Sequence, residues 1–122
     1  LEAQAPDGVT VERNRADFLA LLGRCRVSIS QAGYNTLLDV VQARVRAVVV
    51  PFSDGRHVEQ PMRARLFERH GLVRRVDAEA LSPDALARAV DLAAESEPPP
   101  ANALDADGAV RAAEYVLSAA AN

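Results

Sequence analysis

Apolar residues recur along this chain with two different periods, and the switches between those periods predict its elements. Val9-Thr-Val-Glu-Arg13 alternates apolar and polar positions, as a half-buried strand does. Arg15–Arg24 sets Phe18, Leu19, Leu21 and Leu22 on one broad face and meets Gly23 near its end, which predicts a short helix. Val27–Ser30 predicts a second strand, and Asn35–Arg44 a helix with Leu37, Leu38, Val40 and Val41 facing inward. Ala47–Phe52 is a continuous apolar, β-branched run, the pattern of a strand covered on both faces. Ser53–Glu59 is a polar loop. Pro61–His70 predicts a helix with proline in its first turn and Gly71 at its exit. Leu72–Val76 predicts a fourth strand. Ser82-Pro83-Asp84 supplies a cap, a first-position proline and an acid to a helix running through Leu86, Ala89, Val90 and Ala93. Glu97-Pro-Pro-Pro100 interrupts the pattern. An Ala-rich helix then follows, striped by Val110, Ala113, Val116 and Leu117.

Strands and helices alternating over short links predict an α/β layer, a parallel sheet of about four strands flanked by helices. The expected organisation is an α/β unit over residues 1–97, a proline-rich link at 98–104 and a C-terminal helix at 105–122. In an open parallel sheet the ligand sits beyond the C-terminal strand ends. The loops expected there are Ser30–Asn35, Phe52–Gln60 and Asp77–Ser82.

Composition narrows the picture. A chain of 122 residues makes one domain, and 49% hydrophobic residues exclude disorder. Aromatic residues at 4% offer no base-stacking platform, and a net charge of −3 gives no basic field, so nucleic acid is not an expected partner. Every cation is Arg, which reads as coding bias. The lone Cys25 excludes an internal disulfide and a multi-cysteine metal site; it is expected to be a small buried residue. His57 and His70 show no metal spacing. Neither a signal peptide nor an apolar run long enough for a bilayer is legible, so the expected location is cytoplasmic, without a transmembrane segment.

Three groups of residues carry candidate chemistry. Gly33 follows a strand and precedes a helix: it serves either a turn with positive φ or tight packing, or close backbone approach to a phosphate. Thr36-x-x-Asp39 has the spacing of a capping box, and Asn35 is a capable N-cap. The same groups also suit a diphosphate at the helix start, with Asp39 accepting hydrogen bonds from ribose hydroxyls. Both readings stand on spacing alone. Glu59 and Gln60 either complement the dipole of the next helix or reach sugar hydroxyls and nucleotide. His57 reads as a solvated loop histidine, with contact to a phosphate as the alternative, and His70 as a structural residue at a helix end. Arg63, Arg65, Arg69, Arg74 and Arg75 read as solvated faces.

Taken together, Ser30-Gln-Ala-Gly-Tyr-Asn-Thr36, Asp39, Val50-Pro51-Phe52, Glu59-Gln60 and the Arg63-Ala64-x-x-Phe67 helix leading to Gly71 resemble a known family. They are similar to the C-terminal, donor-binding domain of GT-B glycosyltransferases. The similarity is greatest to family-28 enzymes and to a branch of uncharacterised predicted glycosyltransferases, and it covers roughly residues 9–95. The resemblance implies a Rossmann-like layer, part of a GT-B C-terminal domain, and transfer of a sugar from a nucleotide-diphosphate sugar, UDP-linked, to an acceptor. It implies that Gly33, Tyr34, Asn35 and Thr36 underlie the donor diphosphate and that Asp39 meets the ribose. It further implies that Glu59 and Gln60 contact donor sugar and nucleotide and that Phe52 lies near the base. Where the peptidoglycan enzyme of that family carries a basic residue in the glycine turn, this chain has Gln31. No cofactor or metal is expected, because helix ends and backbone amides hold the diphosphate, and no catalytic residue is expected in this stretch. The family's glycine-rich loop and acceptor domain are not found before Val9, so the chain reads as a fragment, inactive alone, whose partner is the acceptor domain. Its open sheet edge invites homodimerisation. The competing readings are a non-catalytic subunit or interaction module and a sugar-nucleotide epimerase.

Overall fold

The structure, a computed structural model, describes residues 5–101. Helix α1 (Phe18–Arg24), strand β1 (Val27–Ser30), helix α2 (Tyr34–Gln42), strand β2 (Arg46–Val49), helix α3 (Glu59–Arg69), strand β3 (Arg74–Arg75) and helix α4 (Pro83–Glu95) follow one another. A 3-10 turn at Ala78–Ala80 separates β3 from α4. The C-terminal helix expected at 105–122 lies outside the described residues, as does the link beyond residue 101.

The sheet is parallel, in the order β1-β2-β3. Val27 pairs with Arg46 and Ser30 with Val49, while Val48 pairs with Arg74 and Val49 with Arg75. Central strand β2 explains the layers. Its side chains alternate, so Ala47 and Val49 enter a core shared with Leu37, Val40 and Val41 of α2 and Ala64 and Phe67 of α3. Val48 faces the other way, onto Ala89 and Ala93 of α4 and onto Val76. Helices therefore cover both faces, which is why this strand reads as an unbroken apolar run. Full burial of a Val, Leu or Phe side chain stabilises the fold by about 1.5–3 kcal/mol, and of an Ala less.

Among the described residues the sheet has three strands rather than the four expected. Val9–Arg13 forms no strand: Val9 is 52% and Val11 41% exposed, and no neighbouring strand in the described residues takes up their backbone. Alternation alone does not make a strand: this stretch pairs with neither edge of the sheet. β1 is thus an edge of the sheet, with Ile29 exposed.

Helix exits place the strands. After α3, the Gly71 amide bonds the Glu68 carbonyl and the Leu72 amide that of Phe67, with Gly71 at φ +72°. After α2 the same pair of bonds runs from Arg44 to Val41 and from Val45 to Val40, with Arg44 at φ +56°. Arg44 Nε is held at 2.9 Å by the Pro99 carbonyl, and Arg46 Nε at 2.7 Å by that of Ser96, so the end of α4 is fastened beside the start of β2. At the other end of α4, Ser82 Oγ accepts the Ala85 amide at 3.0 Å, the expected cap. Among the described residues no helix is long and apolar enough to cross a membrane.

Phe67 is fully buried where α3 meets the sheet. Phe67→Ala is expected to cost about 3–5 kcal/mol in urea unfolding; a loss below about 1 kcal/mol would place the core elsewhere.

Candidate functional site

Two loops leave the C-terminal ends of adjacent parallel strands. One, Gln31–Gly33, joins β1 to α2; the other, residues 50–58, joins β2 to α3. Gln60, the second residue of α3, fastens them. Its Oε1 accepts the Ala32 amide at 3.2 Å and the Phe52 amide at 2.8 Å. Arg63 lies three residues further along the same helix face. Its Nη1 donates to the Ala32 carbonyl at 2.5 Å, and its guanidinium stands 5.7 Å from the Tyr34 ring centroid. Both backbone polar groups of the fully buried Ala32 are therefore held by side chains of α3.

That hold shapes the start of α2. Gly33 is the N-cap, with extended backbone at φ −65°, ψ 145°, and no side chain caps the helix. The helix thus begins before the expected N-cap, Asn35, and the Thr36–Asp39 capping box does not form; both residues lie inside the first two turns. Nor does Gly33 need positive φ. A Cβ added there would meet only Thr36 Oγ1, at an ordinary 3.8 Å, so packing does not require glycine either. What remains is bare backbone at the positive end of a helix dipole.

The other expected residues of this rim lie on α2, on α3 and in the loop between β2 and α3. Asn35 is exposed; Thr36 and Asp39, three apart, lie half-buried toward one side of α2. Phe52 is 48% exposed, with its amide tied to Gln60. Glu59 is the half-buried first residue of α3, an acid where the dipole favours one. Gln60 has its carbonyl oxygen committed to the two loops, which leaves its NH2 as the group that can reach outward.

The 50–58 loop has its own turn. Asp54 accepts the amides of Arg56 and His57, each at 2.9 Å, and its carboxylate lies 2.9 Å from His57 Nδ1. Gly55, at φ +84°, permits the bend. The two amides and His57 hold the Asp54 carboxyl down at about 2, and Asp54 in turn raises His57. Asp54-x-x-His57 around a glycine is the signal in the sequence that could have found this turn.

Four expectations need correction. Arg63 is half-buried and bonded, not a solvated face, because α3 turns it under the glycine loop. Arg74 is half-buried on β3, since that strand lies between α3 and α4. Arg75, beside it, bridges Glu68 and Asp77, and both carboxylates raise its pKa. Cys25 is exposed, with Sγ donating to the Leu21 carbonyl at 3.3 Å, because α1 ends there and the chain turns into β1. His70, as expected, sits at a helix end, as the exposed C-cap of α3. Clefts of about 260 Å³ beside Arg46 and Arg74 and of about 590 Å³ beside Cys25 and Arg26 involve none of the rim residues.

Comparison with known proteins adds three findings. The model of the glycosyltransferase family 28 C-terminal domain matches residues 15–116. An uncharacterised glycosyltransferase of Methanopyrus kandleri is 33% identical over 116 residues, which cover 94% of this chain and 33% of that protein. A crystal structure described as the glycotransferase of kitacinnamycin superposes with a TM-score of 0.67 at 26% identity, over 93% of this chain and 30% of that one. The chain spans about a third of the length of both relatives.

The Asp54–His57 pair has a defined pH window. His57 is raised in the folded chain, so its contribution to holding the turn is complete below its ordinary pKa of 6.5 and fades as pH rises through the raised value. Asp54 is lowered from 3.8 to about 2, so its contribution is complete above 3.8 and fades as pH falls toward 2. Titration of the His57 ring by NMR should give a midpoint above 6.5 that returns to the ordinary value in Asp54→Asn. The same midpoint in both proteins contradicts the pairing.

Proposed function

The chain belongs to the glycosyltransferase family 28 C-terminal domains, and on that premise we propose that its rim is the donor half of a transferase site. The donor is a sugar carried on a nucleoside diphosphate, with uridine as the nucleoside. Gly33, Tyr34, Asn35 and Thr36 receive the diphosphate, Asp39 the ribose hydroxyls, Glu59 and the Gln60 NH2 the sugar and nucleotide, and Phe52 the base. The observation that carries this reading is the Gln60 tie, which brings a bare, uncapped helix start and the Phe52 loop to one place.

The chemistry follows from those groups. In sugar transfer, the bond from the anomeric carbon to the terminal phosphate oxygen breaks and the diphosphate leaves with the electron pair. A new bond forms to an acceptor oxygen, which gives up its proton. Charge grows on the leaving diphosphate, and amides fixed in advance at a helix N-terminus stabilise it without reorganising. Asp39, with two acceptor oxygens, suits a vicinal diol. No residue of this rim is assigned as the base that takes the acceptor's proton. That role and the acceptor are assigned to the rest of a longer transferase, working in the cytoplasm.

Calorimetric titration of the full-length protein with UDP tests the site. Asp39→Ala should weaken binding by at least about tenfold with the fold intact; unchanged binding sinks the ribose assignment. The 122 residues alone are expected to bind UDP without turnover. Release of UDP from a UDP-sugar above the uncatalysed rate contradicts that division of labour.

A further inference from the structure

We propose that Arg63 is a positioning residue for a diphosphate-bearing ligand: by holding the Ala32 carbonyl it aims the Gly33 amide at the ligand and sets a positive charge behind the turn. The inference rests on the donor-site reading above and adds to it a residue that does not itself line the rim.

The first argument is peptide geometry. The described chain has no cis peptide bond. In a trans peptide the C=O and the following N–H point in opposite directions. The Ala32 carbonyl points at Arg63, at 2.5 Å. The Gly33 N–H therefore points away from α3. The preceding peptide is set in the same manner, because the Ala32 amide points at Gln60. Helix α3 thus dictates both peptide planes that lead into α2.

The second argument is charge. Arg63 is half-buried, its Nε is buried without a hydrogen-bond partner, and burial lowers its pKa. An Arg guanidinium nevertheless stays protonated. Its neighbours are a carbonyl and the face of Tyr34, both neutral. Among the described residues no carboxylate lies within ion-pair distance of it, and Glu59, one turn earlier, acts on it only through space. Arg15 and Arg75, by contrast, each engage two carboxylates. Gln31, in the turn itself, carries no charge. A partly buried cation with no carboxylate in contact is costly, and an anion seated at the turn in front of it reduces that cost. The ligand that satisfies both arguments accepts hydrogen bonds from backbone amides and is negatively charged, which describes the diphosphate and not the nucleoside.

The test compares UDP with uridine by calorimetry on the full-length protein and its Arg63→Gln and Arg63→Lys variants, with thermal melting to check the fold. Arg63→Gln should weaken UDP by about tenfold or more and leave uridine within about twofold. Arg63→Lys, which keeps the charge but not the planar fork, should recover part of that loss and bind UDP more tightly than Arg63→Gln. Arg63→Met, neutral and apolar, replaces the Gln variant if that variant does not fold. Equal UDP affinity in the neutral variant overturns the inference. So does equal weakening of UDP and uridine, or a Lys variant as weak as the neutral one. In each of those cases the donor-site reading stands. Failure of the unaltered protein to bind UDP overturns that reading and this inference with it.

Discussion

One side-chain oxygen, Gln60 Oε1, holds the candidate site together. It accepts amides from two loops, at 3.2 Å from Ala32 and 2.8 Å from Phe52. The loops need such an acceptor because parallel strands are not joined by a hairpin, so loop amides beyond the strand ends lack ladder partners. A typical hydrogen bond contributes about 1 kcal/mol net, but a buried donor left unpaired costs about 1–3 kcal/mol. Loss of this single oxygen frees two donors at once, and the amide of the fully buried Ala32 is the costlier of them. Together with the Val50 amide on the Ser30 carbonyl at 2.8 Å, it sets how the Gly33 turn and the Phe52 loop lie side by side.

The same helix serves the core and the rim. Along α3, Gln60, Arg63, Ala64 and Phe67 recur at intervals of three and four and so share one side. The polar end of that stripe binds Ala32 and Phe52, while its apolar end fills the core with Leu37, Val40 and Val49. Core packing sets where α3 lies on the sheet, and α3 sets the peptides at the start of α2. That chain of dependence leads from an apolar strand to the direction of a backbone amide.

Much of this architecture is legible locally. The residues of β1, the Ser82 cap of α4, the Gly71 exit of α3 and the two-sided burial of β2 all follow from period and end signals, and the structure keeps each. The resemblance carried by the Gly33–Thr36, Asp39 and Glu59-Gln60 pieces likewise leads to the right family. The departures share one cause, which is that their deciding partners are distant in sequence. Val9–Arg13 has the alternation of a strand but pairs with neither open edge of the sheet. Thr36 and Asp39 have capping-box spacing, yet Ala32, held by residues 28 and 31 positions away, starts the helix at Gly33 instead. Arg63 looks like one more surface arginine until α3 is packed. Arg44 occupies a left-handed position where glycine is usual, and its side chain is bonded 55 residues on, to Pro99.

The central claim is that the uncapped start of α2 and the Phe52 loop together face a nucleoside diphosphate. Backbone amide shifts of the 15N-labelled protein on addition of UDP test it most directly. The account predicts that the largest changes fall on Gly33, Asn35, Thr36 and Phe52, and that uridine at the same occupancy leaves the Gly33–Thr36 amides nearly still. Shifts centred instead on Arg46, Leu72 and Arg74, at the opposite end of the strands, would contradict it.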